Sequence, residues 1–145
     1  MSGPPNLDDI PPTCLAMRAR KASRVLTRHY EKALRPLGVT AAQFTLLVHL
    51  REGAGRSISF LAEVLRVERT ALTRNLRILE RAGLAVVGEE GFRRQRSIEI
   101  SPAGREVLER GLPLWHEAQD AVERHLGGDR DAARRVLERL AALDV

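Results

Sequence analysis

Between Ile58 and Gly104 the chain sets two short amphipathic patterns back to back, then two alternating stretches around a charged tip. The first pattern reads Ile58-Ser-Phe-Leu-Ala-Glu-Val-Leu-Arg-Val, and the second Glu68-Arg-Thr-Ala-Leu-Thr-Arg-Asn-Leu-Arg-Ile-Leu-Glu-Arg-Ala-Gly-Leu. Ala85-Val-Val-Gly and Arg96-Ser-Ile-Glu-Ile-Ser follow. In the second pattern Leu72, Leu76 and Leu79 step by four and three, so they share one helix face. Thr70, Thr73, Arg74 and Arg77 fall on another. A helix with a leucine face and a Thr/Arg face suits a DNA major groove, where a guanidinium pairs bidentately with guanine. The spacing therefore predicts a helix-turn-helix with a two-stranded wing, in a mainly α chain, and a DNA-binding regulator rather than an enzyme.

Charge is distributed in keeping with that reading. Across 145 residues the formal net charge is +5. Between Arg66 and Arg96 stand Arg66, Arg69, Arg74, Arg77, Arg81, Arg93, Arg94 and Arg96, against Glu68, Glu80, Glu89 and Glu90. The basic surplus thus coincides with the motif, as a polyanionic partner requires. Aromatic residues make up 3% of the chain, so the core must be built from Leu, Val, Ile and Ala. The single cysteine, Cys14, has no intramolecular disulfide partner, which fits a reducing compartment. No apolar run approaches the roughly 20 residues that span a bilayer. The N-terminus lacks the basic and apolar regions of a secretory signal. A cytoplasmic protein with no membrane partner is expected.

The remaining elements follow from periodicity and punctuation. Pro4, Pro5, Pro11 and Pro12 crowd residues 1–12, which predicts an extended arm. Thr13 is the expected cap of a long helix reaching Leu37, with Leu15, Ala19, Ala22, Leu26, Tyr30 and Ala33 on one stripe. Thr40-Ala-Ala-Gln43 has the form of a capping box and opens a second, buried helix. Ser59 is the expected cap of the first motif helix, and Gly83 the C-terminal stop of the second. Ser101-Pro102 starts a helix to about Leu126, with a kink expected at Pro113 and a weak point at Gly111. Gly127-Gly128 precedes a last amphipathic helix. The chain divides accordingly. Residues 1–12 form the arm, 38–101 a DNA-binding winged helix-turn-helix, and 13–37 with 102–145 long N- and C-terminal dimerisation helices, whose apolar stripes exceed what a small domain covers.

Enzyme motifs are missing: there is no Gly-rich phosphate loop, Gly-x-Ser-x-Gly, His-Glu-x-x-His or Cys-x-x-Cys. His29, His49, His116 and His125 form no ligand-spaced pair, so no metal and no cofactor are expected. The alternative from another class is a winged-helix protein–protein interaction module, which would bind without the steep salt dependence of a DNA reader.

The order of elements resembles the MarR family of winged-helix transcriptional regulators. Leu37-Gly-Val-Thr-Ala-Ala-Gln-Phe-Thr-Leu-Leu, Leu61 to Leu84 and Arg96-Ser-Ile-Glu-Ile-Ser-Pro-Ala-Gly carry the likeness, which with the flanking helices covers about residues 13–143. The resemblance implies a homodimer that places two recognition helices in successive major grooves of a double-stranded, pseudo-palindromic operator, acting most often as a repressor. By position it assigns DNA contacts to Arg69, Thr70, Thr73, Arg74 and Arg77 in the recognition helix and to Arg93, Arg94 and Arg96 in the wing. Two departures stand out. Arg66 occupies a turn position where the family often has Gly, so a left-handed backbone is not expected there. The wing tip lacks the acidic residue that commonly braces a recognition-helix arginine, leaving Glu89 or Glu90 as its replacement.

The resemblance also implies an effector, either a small aromatic ligand or a peroxide. Tyr30, Phe44, His49 and Trp115 are the ligand-binding candidates, against a core-packing reading for each. Cys14 is the redox-sensing candidate, against a small apolar side chain at a dimer interface. It falls about two residues before the family's sensing position, and Ala41 stands where the sensors carry a tyrosine.

Overall fold

The computed structural model describes residues 6–52, 56–90 and 96–144. Its helices are α1 (Ile10–Thr13), α2 (Leu15–Leu34), α3 (Ala41–Arg51), α4 (Ile58–Leu65), α5 (Arg69–Arg81), α6 (Pro102–Leu126) and α7 (Arg130–Ala141). Three strands, β1 (Arg56–Ser57), β2 (Ala85–Glu90) and β3 (Arg96–Ile100), form one antiparallel sheet in the order β1-β3-β2. The expected mainly α chain with a β-hairpin wing is therefore present, with β1 as a third, short strand on the hairpin.

The core lies where α3, α4, α5 and the sheet meet. Leu34, Leu47, Leu50, Leu61, Leu72, Leu79 and Ile98 are its most deeply buried members. The predicted leucine face of α5 is the buried one, since Leu72, Leu76 and Leu79 are each at most 2% exposed. In the hairpin Ala85 pairs with Ile100 and Val87 with Ile98, which turns these residues inward together. The register shifts by one residue between Val87 and Glu90, an irregularity of the kind a β-bulge introduces.

Helix ends follow the side chains available to cap them. Thr40 and Gln43 form the expected box at the start of α3. At the end of α5, Gly83 is left-handed at φ +71°, Gly83 N–H donates to Glu80 O (2.9 Å), and Leu84 N–H donates to Leu79 O (2.9 Å). These two bonds close a Schellman turn and aim the chain straight into β2. Ser101 Oγ then donates to Gly83 O (2.6 Å) and accepts from Gly104 N–H (3.0 Å), so one hydroxyl ties the end of α5 to the start of α6.

Several local expectations are corrected. Residues 7–13 are helical, not an extended arm: Asn6 caps a 3-10 turn over Leu7–Asp9, which runs into α1. Pro11 and Pro12 sit in the first turn of α1, where no backbone N–H is required, so they start a helix instead of forbidding one. Thr13 closes α1, and its hydroxyl donates back to Asp9 O. The N-cap of α2 is Cys14, extended at φ −66° and ψ 109°. The α-helix ends at Leu34, and Arg35–Leu37 is a 3-10 turn. Ser57, not Ser59, caps α4 by accepting from Phe60 N–H (3.1 Å), because pairing of β1 with β3 holds Ser57 extended while Ser59 is already helical. Arg66 is left-handed after all, at φ 50° and ψ 44°; Arg66 N–H donates to Glu63 O (3.2 Å) and Val67 N–H to Ala62 O (3.1 Å). Those closing bonds offset the roughly 1–2 kcal/mol a side chain costs in that region. Gly111 is buried at a close approach to Phe44 and Leu37, inside an α6 whose helical span includes Pro113.

The long helices are covered differently. α2 packs on α6, where His29 Nε2 lies 2.9 Å from Ala118 O and the Tyr30 hydroxyl donates to Gln119 Oε1. Only Leu34 of α2 is buried, and no residue of α7 is. Leu15, Val25, Leu112, Val136 and Leu137 are each more than half exposed on these three helices.

Candidate nucleic-acid interface and cleft

The outward face of α5 is built by the same periodicity that buries its leucines. Arg69, Thr70, Arg74 and Arg77 are exposed and Thr73 is half-buried beside them. With Ile78 and Arg81 they line one open groove of about 780 Å³, and among the described residues no acidic side chain lines it. Among the described residues the ion pairs are Arg130 with Glu123 and Asp131, and Arg134 with Glu138. The guanidinium groups along α5 are thus uncommitted there, and Glu89 does not brace any of them. Thr73 Oγ1 donates to Arg69 O (2.8 Å), which commits its hydrogen to the helix backbone and leaves its methyl and lone pairs outward.

Orientation of this face comes from below. Gln43, 6% exposed, accepts from Thr40 N–H (3.0 Å) through Oε1 and donates to Asn75 Oδ1 (3.4 Å) through Nε2. Asn75 in turn donates to Ala71 O (3.3 Å). One glutamine therefore caps α3 and pins the middle of α5. Sequence reasoning passed over both Asn75 and Arg81. Arg81 was within reach, since it continues the step from Arg74 and Arg77. The link from Gln43 to Asn75 spans 32 residues and had no local signal.

A second concavity, about 520 Å³, opens between α2, the start of α3, and α6. Tyr30, Phe44 and Trp115 line it together, with Leu137 of α7 at its edge. His49 does not; its Nδ1 lies 2.9 Å from Thr45 O on its own helix. Burial, followed by the negative charge of Glu123, raises the Tyr30 phenol above its ordinary pKa of 10.0.

A family model described as the MarR family matches residues 37–95. The structure of the transcriptional regulator MosR of M. tuberculosis is 37% identical, with 89% of this chain and 93% of that chain covered and a TM-score of 0.78. The chain belongs to the MarR family. MosR in complex with DNA is 33% identical, covers 90% of this chain and 99% of its own, and has a TM-score of 0.78. The transcriptional repressor CouR bound to a 23-mer DNA duplex is 25% identical, covers 96% and 99%, and has a TM-score of 0.81. No curated protein sequence matches the chain. Membership makes this a DNA-binding transcriptional regulator of winged-helix architecture and not an enzyme.

Arg93 and Arg94 of the expected wing contacts lie outside the described residues, and Arg96 opens β3 by its backbone. Cys14 is half-buried at the N-cap of α2, well away from α5 in sequence. Among the described residues no helix is long and apolar enough to cross a membrane, and no cluster of His, Cys, Asp and Glu is arranged to hold a metal.

Proposed function

We propose that two copies of the chain bind a pseudo-palindromic duplex operator and repress transcription from it in the cytoplasm. Residues 38–101 form the DNA-binding unit, and 13–37 with 102–145 the dimerisation region. The observation that carries this reading is the α5 face, where four arginines and two threonines line one groove while the opposite leucine face is locked in the core. A rigid helix presenting uncommitted guanidinium groups suits the major groove, with the two α5 copies about 34–36 Å apart. Thr73, Arg74 and Arg77 read bases, and Arg69 and Thr70 fix the helix start on phosphate. Arg93, Arg94 and Arg96 of the wing track phosphate and minor-groove width. The solved DNA complexes of MosR and CouR support the partner. The half-exposed apolar residues of α2, α6 and α7 support the dimer.

Release by an effector belongs to the same reading. CouR bound to p-coumaroyl-CoA, 26% identical to this chain with a TM-score of 0.80, is a ligand-bound relative. The cleft holding Tyr30, Phe44 and Trp115 is the place for a small ligand here, and oxidation of Cys14 by a peroxide is the other route.

The test is binding of the purified protein to DNA from its own upstream region at two salt concentrations. Specific binding that weakens steeply with salt is expected. Binding that is neither specific nor salt-sensitive removes this reading in favour of a protein-interaction module. Loss of the complex on adding organic hydroperoxide, retained by Cys14→Ser, assigns release to the cysteine.

A further inference from the structure

One side chain on the outer surface of α5 does not suit phosphate. Thr70, Arg74, Ile78 and Arg81 step by four, four and three along the helix, so they form one ridge. Three of them can hydrogen-bond to DNA, and Ile78 cannot. Among the described residues that line the α5 groove, Ile78 is the apolar one, and 41% of it is exposed. It stands outside the buried core, whose α5 members are Leu72, Leu76 and Leu79.

Chemistry selects what such a side chain can meet in a major groove. Against phosphate or the polar edge of a base, its methyl groups would displace water and offer no hydrogen bond in return. The C5-methyl of thymine is the apolar feature that base pairs present there. Packing the two together removes apolar area from water and leaves no polar atom unpaired. Ile78 is also β-branched, so its first side-chain torsion is nearly fixed in a helix and little freedom is lost on contact. Arg74 and Arg81 flank it one turn to either side, and neither is ion-paired among the described residues. Thr73, whose methyl also points outward, lies five residues earlier and roughly 140° round the helix, so it faces a different part of the groove.

We infer that Ile78 is a specificity-determining residue that packs on a thymine C5-methyl and so favours thymine at one position of each half-site. The inference rests on the DNA-binding function proposed above and adds an apolar reader to it.

A duplex enriched by the intact protein from a random-sequence pool is synthesised twice, with thymine and with uracil, which differ only in the C5-methyl. Affinities are measured by titration at one fixed salt concentration and again at several. One buried methyl is worth about fourfold in affinity, so two half-sites favour thymine by about fifteenfold. Ile78→Ala is expected to lose that preference and Ile78→Val to keep most of it. Both are expected to keep the parent's salt slope, because no phosphate contact is removed. Their circular dichroism is expected to match the parent, since the side chain is exposed. Replacing thymines by uracil one at a time is then expected to place the preference at one symmetric pair of positions. Equal affinity of the parent for the two duplexes overturns the inference. An undiminished preference in Ile78→Ala overturns it too, and passes the methyl contact to another side chain such as Thr73. If no sequence is enriched, the proposed function falls and this inference with it, whereas enrichment without a thymine preference removes the role of Ile78 alone.

Discussion

The ring of Phe44 occupies the space that any side chain on residue 111 would need. A Cβ on Gly111 would lie 2.8 Å from Leu37 Cδ1 and closer still to Phe44 Cε2. α6 and α3 meet at this point with no room for a methyl group, and the same ring forms a wall of the cleft.

Gly111→Ala is therefore expected to destabilise the fold, even though alanine favours helix. Overpacking costs about 1–3 kcal/mol, of which about 1 kcal/mol is returned by helix propensity. Urea denaturation measures the difference. An unchanged midpoint would mean that Phe44 and Leu37 yield freely.

Ser101→Ala removes both the cap of α6 and its tie to Gly83 O. A loss of about 1–2 kcal/mol is expected. Ser101 is only 7% exposed, so water cannot readily replace its bonds. Thermal unfolding followed by circular dichroism checks this; a stability equal to the parent would show the hydroxyl to be dispensable.

The elements that the sequence made legible are those fixed by period and by local caps. Leu72, Leu76 and Leu79 announce the buried face of α5 because a helix repeats every 3.6 residues, and Thr40 with Gln43 announces a start because both partners lie within one turn. What stayed hidden depended on distance. The choice of Ser57 over Ser59 is made by pairing of Ser57 with Ser97, far along the chain in β3. Pro11 and Pro12, read as breakers, proved to be first-turn residues, since proline fixes φ but does not say which side of a helix end it occupies. His49 and Trp115 are both cleft candidates from the sequence, and only Trp115 lines the cleft.

Arg66→Gly is expected to stabilise the protein. Glycine adopts φ 50° without the roughly 1–2 kcal/mol cost of a side chain, while its freer unfolded chain takes back about 0.5–1 kcal/mol. The net gain is a few tenths to about 1 kcal/mol, read as a rise in melting temperature. A fall would show that the Arg66 side chain holds the turn.

The two arms of the DNA interface are expected to fail differently. Arg74→Ala relaxes sequence preference at one operator position, worth about 1–3 kcal/mol of discrimination. Arg94→Ala weakens binding to all sequences and lowers the salt slope by about 1. Competition titrations with matched and scrambled duplexes at several salt concentrations separate them, and identical behaviour of the two variants would refute the division.

Alkaline unfolding tests the buried end of the Tyr30–Gln119 pair. The folded chain holds the Tyr30 proton more tightly than the unfolded chain, whose phenol titrates at the ordinary 10.0. The stability this contributes is fully present below that value and is lost as pH rises through the raised, folded pKa. Tyr30→Phe is expected to lack that part of the decline. On the acid side, hydrogen bonds from Gln119 and then from Arg130 hold Glu123 below its usual 4.5. Its contribution is present above 4.5 and disappears as pH falls through the lowered value. Parallel stability profiles for Tyr30→Phe and the parent above pH 10 would contradict the assignment.

α7 has twelve residues, none of them buried within its own chain, and is moored at its first turn by Arg130 to Glu123. A helix of that length is marginal in water unless something covers it. If a second copy packs against Val136, Leu137 and Leu140, the secondary structure of α7 is expected to depend on that contact. The far-ultraviolet signal of this protein is then expected to fall on dilution, as the last helix loosens where copies part.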